Sequence, residues 1–149
     1  MKEETIVLIV EDEKELADRI KLILEMEGYR AEEAFSGKEA REMGMRYPYD
    51  IALLDINLPD MQGTKLIPDL LKSNPDMAII IVTGFPDQEN TMVALNLGAK
   101  GYLTKPFEPE KLIEMLDDRV RKQSEAINMT QEKMGEFIQR RLEKMRKQK

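Results

Sequence analysis

Four short, mostly apolar runs in this chain end in groups that can do chemistry. "TIVLIV" (5–10) runs into Glu11 and Asp12, "DIALLD" (50–55) ends in Asp55, "MAIIIVT" (77–83) ends in Thr83, and "AKGYLT" (99–104) runs into Lys105 and Pro106. Three carboxylates held near one another repel, so raised pKa values or a bound cation are expected. Oxygen-only ligation suits a hard ion such as Mg2+, which keeps several waters. The backbone carbonyl of Asn57, just past Asp55, could supply a further oxygen. Lys105 adds a positive charge and Thr83 a hydroxyl. With the cation, these groups would stabilise a phosphoryl group carried on a carboxylate oxygen. That would give Asp55 a reason to stand at the end of a buried run. Taken singly, each group has an ordinary reading: Asp55 as a turn or helix cap, Lys105 as a loop lysine before a proline that starts a helix, Thr83 as a β-branched strand residue. It is their common position at strand ends that favours chemistry.

The elements that would place them there alternate along the chain. "TIVLIV" (5–10) is a continuous β-branched run, as expected of a strand buried on both faces. Leu16, Ala17, Ile20, Ile23 and Leu24 share one face of a helix from Lys14 to Glu27, and Gly28 ends it. "YRAEEAF" (29–35) is a more polar strand, expected nearer an edge. Ser36 with Glu39 three residues on makes a capping box for a helix to about Arg46. The pattern repeats with a strand at 50–55, a helix from Gly63 to Ser73, a strand at 77–83, a helix from Asp87 to Leu97 closed by Gly98, a strand at 99–104 and a helix from Glu108 onward. Strict alternation with short connections predicts an α/β fold, with five parallel strands in one doubly wound sheet and helices on both faces. Ligands in such sheets sit beyond the carboxyl ends of the strands, at a switch in strand order.

Composition narrows the chemistry. The chain has no cysteine and no histidine, which excludes disulfides, thiol nucleophiles, the usual zinc sites and histidine general bases. With 42% hydrophobic and 35% charged residues it reads as a soluble globular protein. The short N-terminal run follows Lys2, Glu3 and Glu4, the wrong charge pattern for export, and nothing approaches a transmembrane span. A cytoplasmic location without membrane insertion is therefore expected. The net charge of -6 hides an asymmetry: residues 1–120 carry 14 Lys and Arg against 25 Asp and Glu, whereas residues 121–149 carry 9 against 4. The body is acidic and the tail basic.

Over roughly residues 4–122 the chain resembles a response-regulator receiver domain of two-component signalling. The resemblance rests on Glu11-Asp12, "LLDINLPDMQG", "IIIVTG" with Thr83, and "GAKGYLTKPF" with Lys105-Pro106, four motifs in order, each at a strand end. It implies a flavodoxin-like, five-stranded (β/α)5 fold, and phosphoryl transfer to Asp55 from a sensor histidine kinase or a histidine phosphotransfer protein. It also implies Mg2+ bound by Glu11, Asp12, Asp55 and the Asn57 carbonyl. Thr83 and Lys105 would assist at the phosphoryl group, and Thr83 and Tyr102 match the family's switch pair, which repacks the surface built from the fourth helix, fifth strand and fifth helix. The only catalysis implied is self-phosphorylation and self-dephosphorylation; the chain is otherwise not an enzyme. The acidic pair is Glu-Asp where Asp-Asp is commoner. Asn57 and Phe85 stand where side chains tune dephosphorylation in relatives, and relatives have a cis peptide bond at the position of Pro106.

The expected organisation is a receiver at 1–122 and a basic helical extension at 123–149. In the extension Val120, Ile127 and Met134 keep a seven-residue spacing that Gln123 and Thr130 interrupt, and Met134, Ile138, Leu142 and Met145 make a narrow apolar stripe. The extension could continue the fifth helix or form another one; Asn128 and Thr130 could cap a fresh helix, which would put a break near there. The extension could pack on its own domain, form a homodimer, or meet a kinase, a target protein or nucleic acid. Nucleic acid ranks last, because the body is acidic and only Phe137 interleaves the basic residues. The expected function is a phosphorylation-dependent switch acting on a downstream protein target. The principal alternative is the N-terminal regulatory receiver and dimerisation linker of a larger transcription regulator. An aspartate-nucleophile phosphatase would place an Asp two residues after Asp55, where Asn57 stands. A constitutive binding module would not need Asp55, Thr83 and Lys105 together.

Overall fold

The buried runs form the centre of a single sheet. The computed structural model describes residues 2–84 and 87–147, apart from the side chain of Gln88. A 3-10 turn at Lys2–Glu4 precedes β1 (Ile6–Val10), α1 (Lys14–Met26), β2 (Arg30–Ala34), α2 (Gly37–Arg46) and β3 (Ile51–Leu54). A second 3-10 turn (Gly63–Lys65) leads into α3 (Leu66–Ser73), followed by β4 (Ala78–Thr83), α4 (Gln88–Asn96), β5 (Gly101–Thr104) and α5 (Pro109–Lys147). The strands are all parallel in the order β2-β1-β3-β4-β5. Every residue of β3 and β4 is buried, whereas β2, the polar strand, lies at one edge and β5 at the other. The order reverses between β1 and β3, so their carboxyl ends flank the crevice of a flavodoxin-like sheet.

Alternation along the strands fills both faces of the sheet. Leu8, Leu54, Ile79 and Ile81 join Ala40 of α2, Leu66, Ile67 and Leu70 of α3 and Ala94 of α4 in one continuous core. Ile9, Leu53 and Val82 point the other way, beside Ile20 of α1. Burying a side chain such as Leu54 or Ile79 contributes roughly 1.5–3 kcal/mol. That stabilisation lets the strand ends carry buried charges despite their desolvation cost. Helix ends follow the local chemistry of the chain. Gly28 and Gly98 adopt φ of 97° and 115° just past α1 and α4, a conformation that side chains with a Cβ rarely reach. Ser36 Oγ accepts from the Glu39 N–H, as the capping box requires, but the Glu39 carboxylate returns to the Phe35 N–H.

One helix start is corrected, and of the two readings of the extension the continued fifth helix holds. The helix expected from Gly63 begins with the 3-10 turn, and α3 proper starts at Leu66. No break occurs near Asn128 or Thr130: α5 is helical throughout its 39 residues. The Thr130 hydroxyl donates to the Ala126 carbonyl one turn back, a bond that a threonine can make without leaving the helix. Met1–Leu116 and Asp117–Lys149 form two separate compact units. Among the described residues no helix is long and apolar enough to cross a membrane.

Candidate functional site

At the carboxyl ends of β1 and β3 the backbone delivers acids into one place. Glu11, Asp12 and Asp55 each offer a carboxylate oxygen within 4.8 Å of the others, with Glu11 and Asp55 buried and Asp12 exposed. Lys105, one residue past β5, reaches across to both buried acids: its Nζ lies 2.6 Å from Glu11 Oε1 and 3.0 Å from Asp55 Oδ2. The other Asp55 oxygen accepts from the Asn57 N–H at 3.1 Å. Both Asp55 oxygens are therefore oriented. The Lys105 N–H donates to the Thr83 carbonyl at 2.8 Å, which ties the lysine to the end of β4. Its peptide bond to Pro106 is cis.

One ammonium does not balance this group. Burial, reinforced by the Asp55 carboxyl beside it and only partly opposed by Lys105, pushes the Glu11 carboxyl up to about 7. Burial alone would lower the Lys105 ammonium, but its hydrogen bonds to Glu11 and Asp55 outweigh that and raise it. Glu11 Oε2 is buried with no hydrogen-bond partner among the described residues. An unpaired buried carboxylate oxygen beside two further carboxylates is the donor set a hard divalent cation takes. The residues present fit such an ion.

Of the remaining candidates, Thr83 ends β4 and Tyr102 lies within β5. Thr83 is fully buried at the end of β4, in register with Thr104. Tyr102 is half-buried against the core, and its hydroxyl is buried without a hydrogen-bond partner among the described residues. The Asn57 side chain is exposed, and Phe85 lies outside the described residues. Gly84 leaves room: a Cβ there would meet Lys105 side-chain carbons at 3.9 Å and 4.0 Å, ordinary contacts.

The model of the response regulator receiver domain family matches residues 7–117. This chain belongs to that family. The cell cycle response regulator CtrA of Brucella ovis is 37% identical over 116 residues, 78% of this chain and 50% of that protein. The receiver thus spans about half the length of the curated relatives it matches. Among solved structures, a CheY-like receiver domain protein from Methanospirillum hungatei matches at a TM-score of 0.80 and 38% identity, over 82% of this chain and 98% of that one. A response regulator from Burkholderia pseudomallei matches at 0.74 and 26% identity, over 83% of this chain and 73% of that one; its structure holds a phosphorylated aspartic acid, a calcium ion and citrate. The receiver of a two-component response regulator is a signalling switch, and the acidic cluster at its strand ends could hold a divalent metal ion.

Two residues that position the receiver's acidic loop escape a reading by strand ends. The loop after Asp55 folds back through an antiparallel bridge between Asn57 and Gln62, and the Gly63 N–H donates to the Ile56 carbonyl. A Cβ on Gly63 would lie 2.1 Å from the Asp55 carbonyl oxygen, so glycine alone fits. At the loop's tip Asp60 accepts from the N–H groups of Gly37 and Lys38 at 2.8 Å and 2.9 Å, at the start of α2. These two backbone bonds hold the Asp60 carboxyl below its ordinary range. A Cβ on Gly37 would fall 2.2 Å from Met61 Sδ, so the Met61 side chain would have to shift to admit one.

Asp60→Asn is accordingly expected to lower the thermal midpoint at neutral pH. Because the folded-state pKa of Asp60 is depressed, its stabilisation is present above the ordinary carboxyl pKa of 3.8 and is lost as pH falls through the depressed value. The gap between variant and parent should close in acid. Melting curves of both proteins at neutral and acid pH check this, and equal midpoints at neutral pH would refute the tether.

Proposed function

We propose that Asp55 is the phosphoacceptor of this receiver and that the chain is a phosphorylation-dependent signalling switch. The observation that carries the reading is Lys105, whose ammonium bridges Asp55 and Glu11 while Glu11 keeps a buried oxygen unpaired. The donor is a phosphohistidine on a sensor histidine kinase or a histidine phosphotransfer protein. An Asp55 carboxylate oxygen forms the new O–P bond, the P–N bond breaks, and the imidazole nitrogen leaves with the electron pair. Lys105 neutralises the growing charge on the phosphoryl oxygens, and the Asn57 N–H keeps the carboxylate aimed. Glu11, Asp12, Asp55 and the Asn57 carbonyl hold Mg2+. When bound, the ion supplies charge neutralisation at the carboxylates and at the phosphoryl oxygens. Water later hydrolyses the acyl phosphate, and no other catalytic activity is assigned.

The switch is Thr83 with Tyr102. Thr83 turns its hydroxyl toward the phosphoryl group, and the half-buried Tyr102 ring takes up the space it leaves, which shifts the population of states at α4 and β5. Met92, Val93 and Leu95 of α4 are exposed, and this apolar surface suits a downstream protein target. Residues 1–122 form the receiver and 123–149 a basic extension through which a second copy associates. The protein works in the cytoplasm and does not insert into membranes, and nucleic acid is not its direct partner. A second reading is favoured by the half-length match to longer regulators: the N-terminal receiver and linker of a larger transcription regulator. An open reading frame that continues past Lys149 would select it.

The decisive experiment is the intact mass after incubation with acetyl phosphate and Mg2+. The parent is expected to gain one phosphoryl group and Asp55→Asn none. An unlabelled parent would overturn the acceptor role of Asp55 and favour a constitutive binding module.

A further inference from the structure

The helix of the second unit leaves Ile127, Met134, Phe137, Ile138, Leu142 and Met145 between 51% and 63% exposed. They are not scattered. Ile127, Met134, Ile138 and Met145 fall, with Gln131 and Arg141, on positions 127, 131, 134, 138, 141 and 145, the alternating four-three spacing of a coiled-coil seam, and Phe137 and Leu142 flank it. An open hollow of about 310 Å3 lies on this face, lined by Thr130, Lys133, Met134, Phe137 and Ile138.

We propose that this segment pairs with the same segment of a second copy, antiparallel, over residues 125–147 and centred on Glu136. The proposal rests on the self-association put forward above, not on phosphorylation of Asp55. Charge selects the direction. Residues 125–136 carry three acidic groups and one basic, whereas residues 137–147 carry five basic groups and one acidic. A parallel pair would set the two basic halves side by side and Arg141 against the partner's Arg141. The antiparallel pair sets each basic half against an acidic one.

The seam then matches like with like. Ile127 faces the partner's Met145, Met134 faces the partner's Ile138 over the hollow, and Gln131 faces the partner's Arg141 as a polar pair. Gly135 also gains a reason. A glycine inside a helix costs about 1 kcal/mol relative to alanine, and a Cβ at Gly135 would meet nothing within 4 Å. Its place beside the crossing point lets the two backbones approach closely.

The chain has no cysteine, so single cysteines report direction cleanly. Light scattering on the full chain should give twice the monomer mass, and Ile138→Glu should return it to monomer. Ile127→Cys and Met145→Cys, mixed and treated with a short bismaleimide, should give a cross-linked dimer. Neither alone should, since each pair of identical positions would lie about 27 Å apart in the antiparallel register. A monomeric parent would overturn the pairing itself. Cross-linking of either variant alone, or a dimeric mass with no cross-link in the mixture, would overturn the antiparallel register. Phosphoryl labelling is read separately, so its failure would leave this result standing.

Discussion

Gly63→Ala is expected to destabilise the receiver by about 3 kcal/mol, the upper end of the range for overpacking. The new Cβ would fall 2.1 Å from the Asp55 carbonyl oxygen and 3.0 Å from both the Asp55 carbonyl carbon and the Ile56 Cα. All three are backbone atoms, so no side chain can rotate aside. Either the loop from Asp55 to Gly63 opens or the end of β3 shifts, and both move the Asp55 carboxylate relative to Lys105. A displacement of about 1 Å at a reacting group can cost on the order of 100-fold in rate. Labelling by acetyl phosphate should therefore fall by about that factor even where the variant is folded. Gly84→Ala is the control, because its Cβ meets only ordinary contacts on Lys105, and its stability should stay within about 0.5 kcal/mol of the parent. Urea denaturation of the three proteins measures the difference. A Gly63→Ala midpoint equal to that of the parent would refute the close approach as the reason for the glycine.

What was legible in the sequence was what is decided locally. Buried parallel strands read as continuous apolar runs, so β1, β3 and β4 announced themselves and the polar groups at their ends stood out. The polar "YRAEEAF" revealed an edge because an edge strand tolerates exposed side chains, and β2 lies there. Ser36 and Gly28 marked helix ends through bonds and backbone angles within a few residues. Asp60 and Gly63 were opaque for the opposite reason. The partners of Asp60 lie 22 and 23 residues away, and Gly63 answers to a carbonyl reached only after the loop has folded back on itself. Whether the extension would continue the fifth helix or break near Thr130 was open, because a threonine's capping preference competes with an equally local alternative, its bond to the carbonyl four residues back. The signs of the charges at Glu11, Asp55 and Lys105 could be read from the chain, but not that a single ammonium would bridge both acids.

That bridge makes Lys105→Met the other large effect, an expected loss of about 3 kcal/mol at pH 8, the lower end of the cost of breaking a buried ion pair. The lower end applies because the Lys105 side chain keeps 19% exposure and water can partly replace it. The dependence on pH has a definite sign. Burial raises the Glu11 carboxyl from 4.5 to about 7, so its proton-linked stabilisation is fully present below pH 4.5 and is lost as pH rises through about 7. Without the ammonium, nothing opposes the desolvation of Glu11 or its repulsion from Asp55. The gap between variant and parent should therefore narrow in mild acid, where Glu11 is protonated, and widen in base. At the proposed site Mg2+ would compete with the proton for the same carboxylate, so its stabilisation of the parent should grow between pH 5.5 and pH 8, roughly as more of Glu11 is ionised. It should rescue Lys105→Met at pH 8 at least in part, since a divalent ion supplies the positive charge that the lysine no longer does. Thermal melts of both proteins, with and without Mg2+ at the two pH values, test each step. A Mg2+ effect independent of pH would detach Glu11 from the cation, and a variant as stable as the parent at pH 8 would detach Lys105 from the two acids.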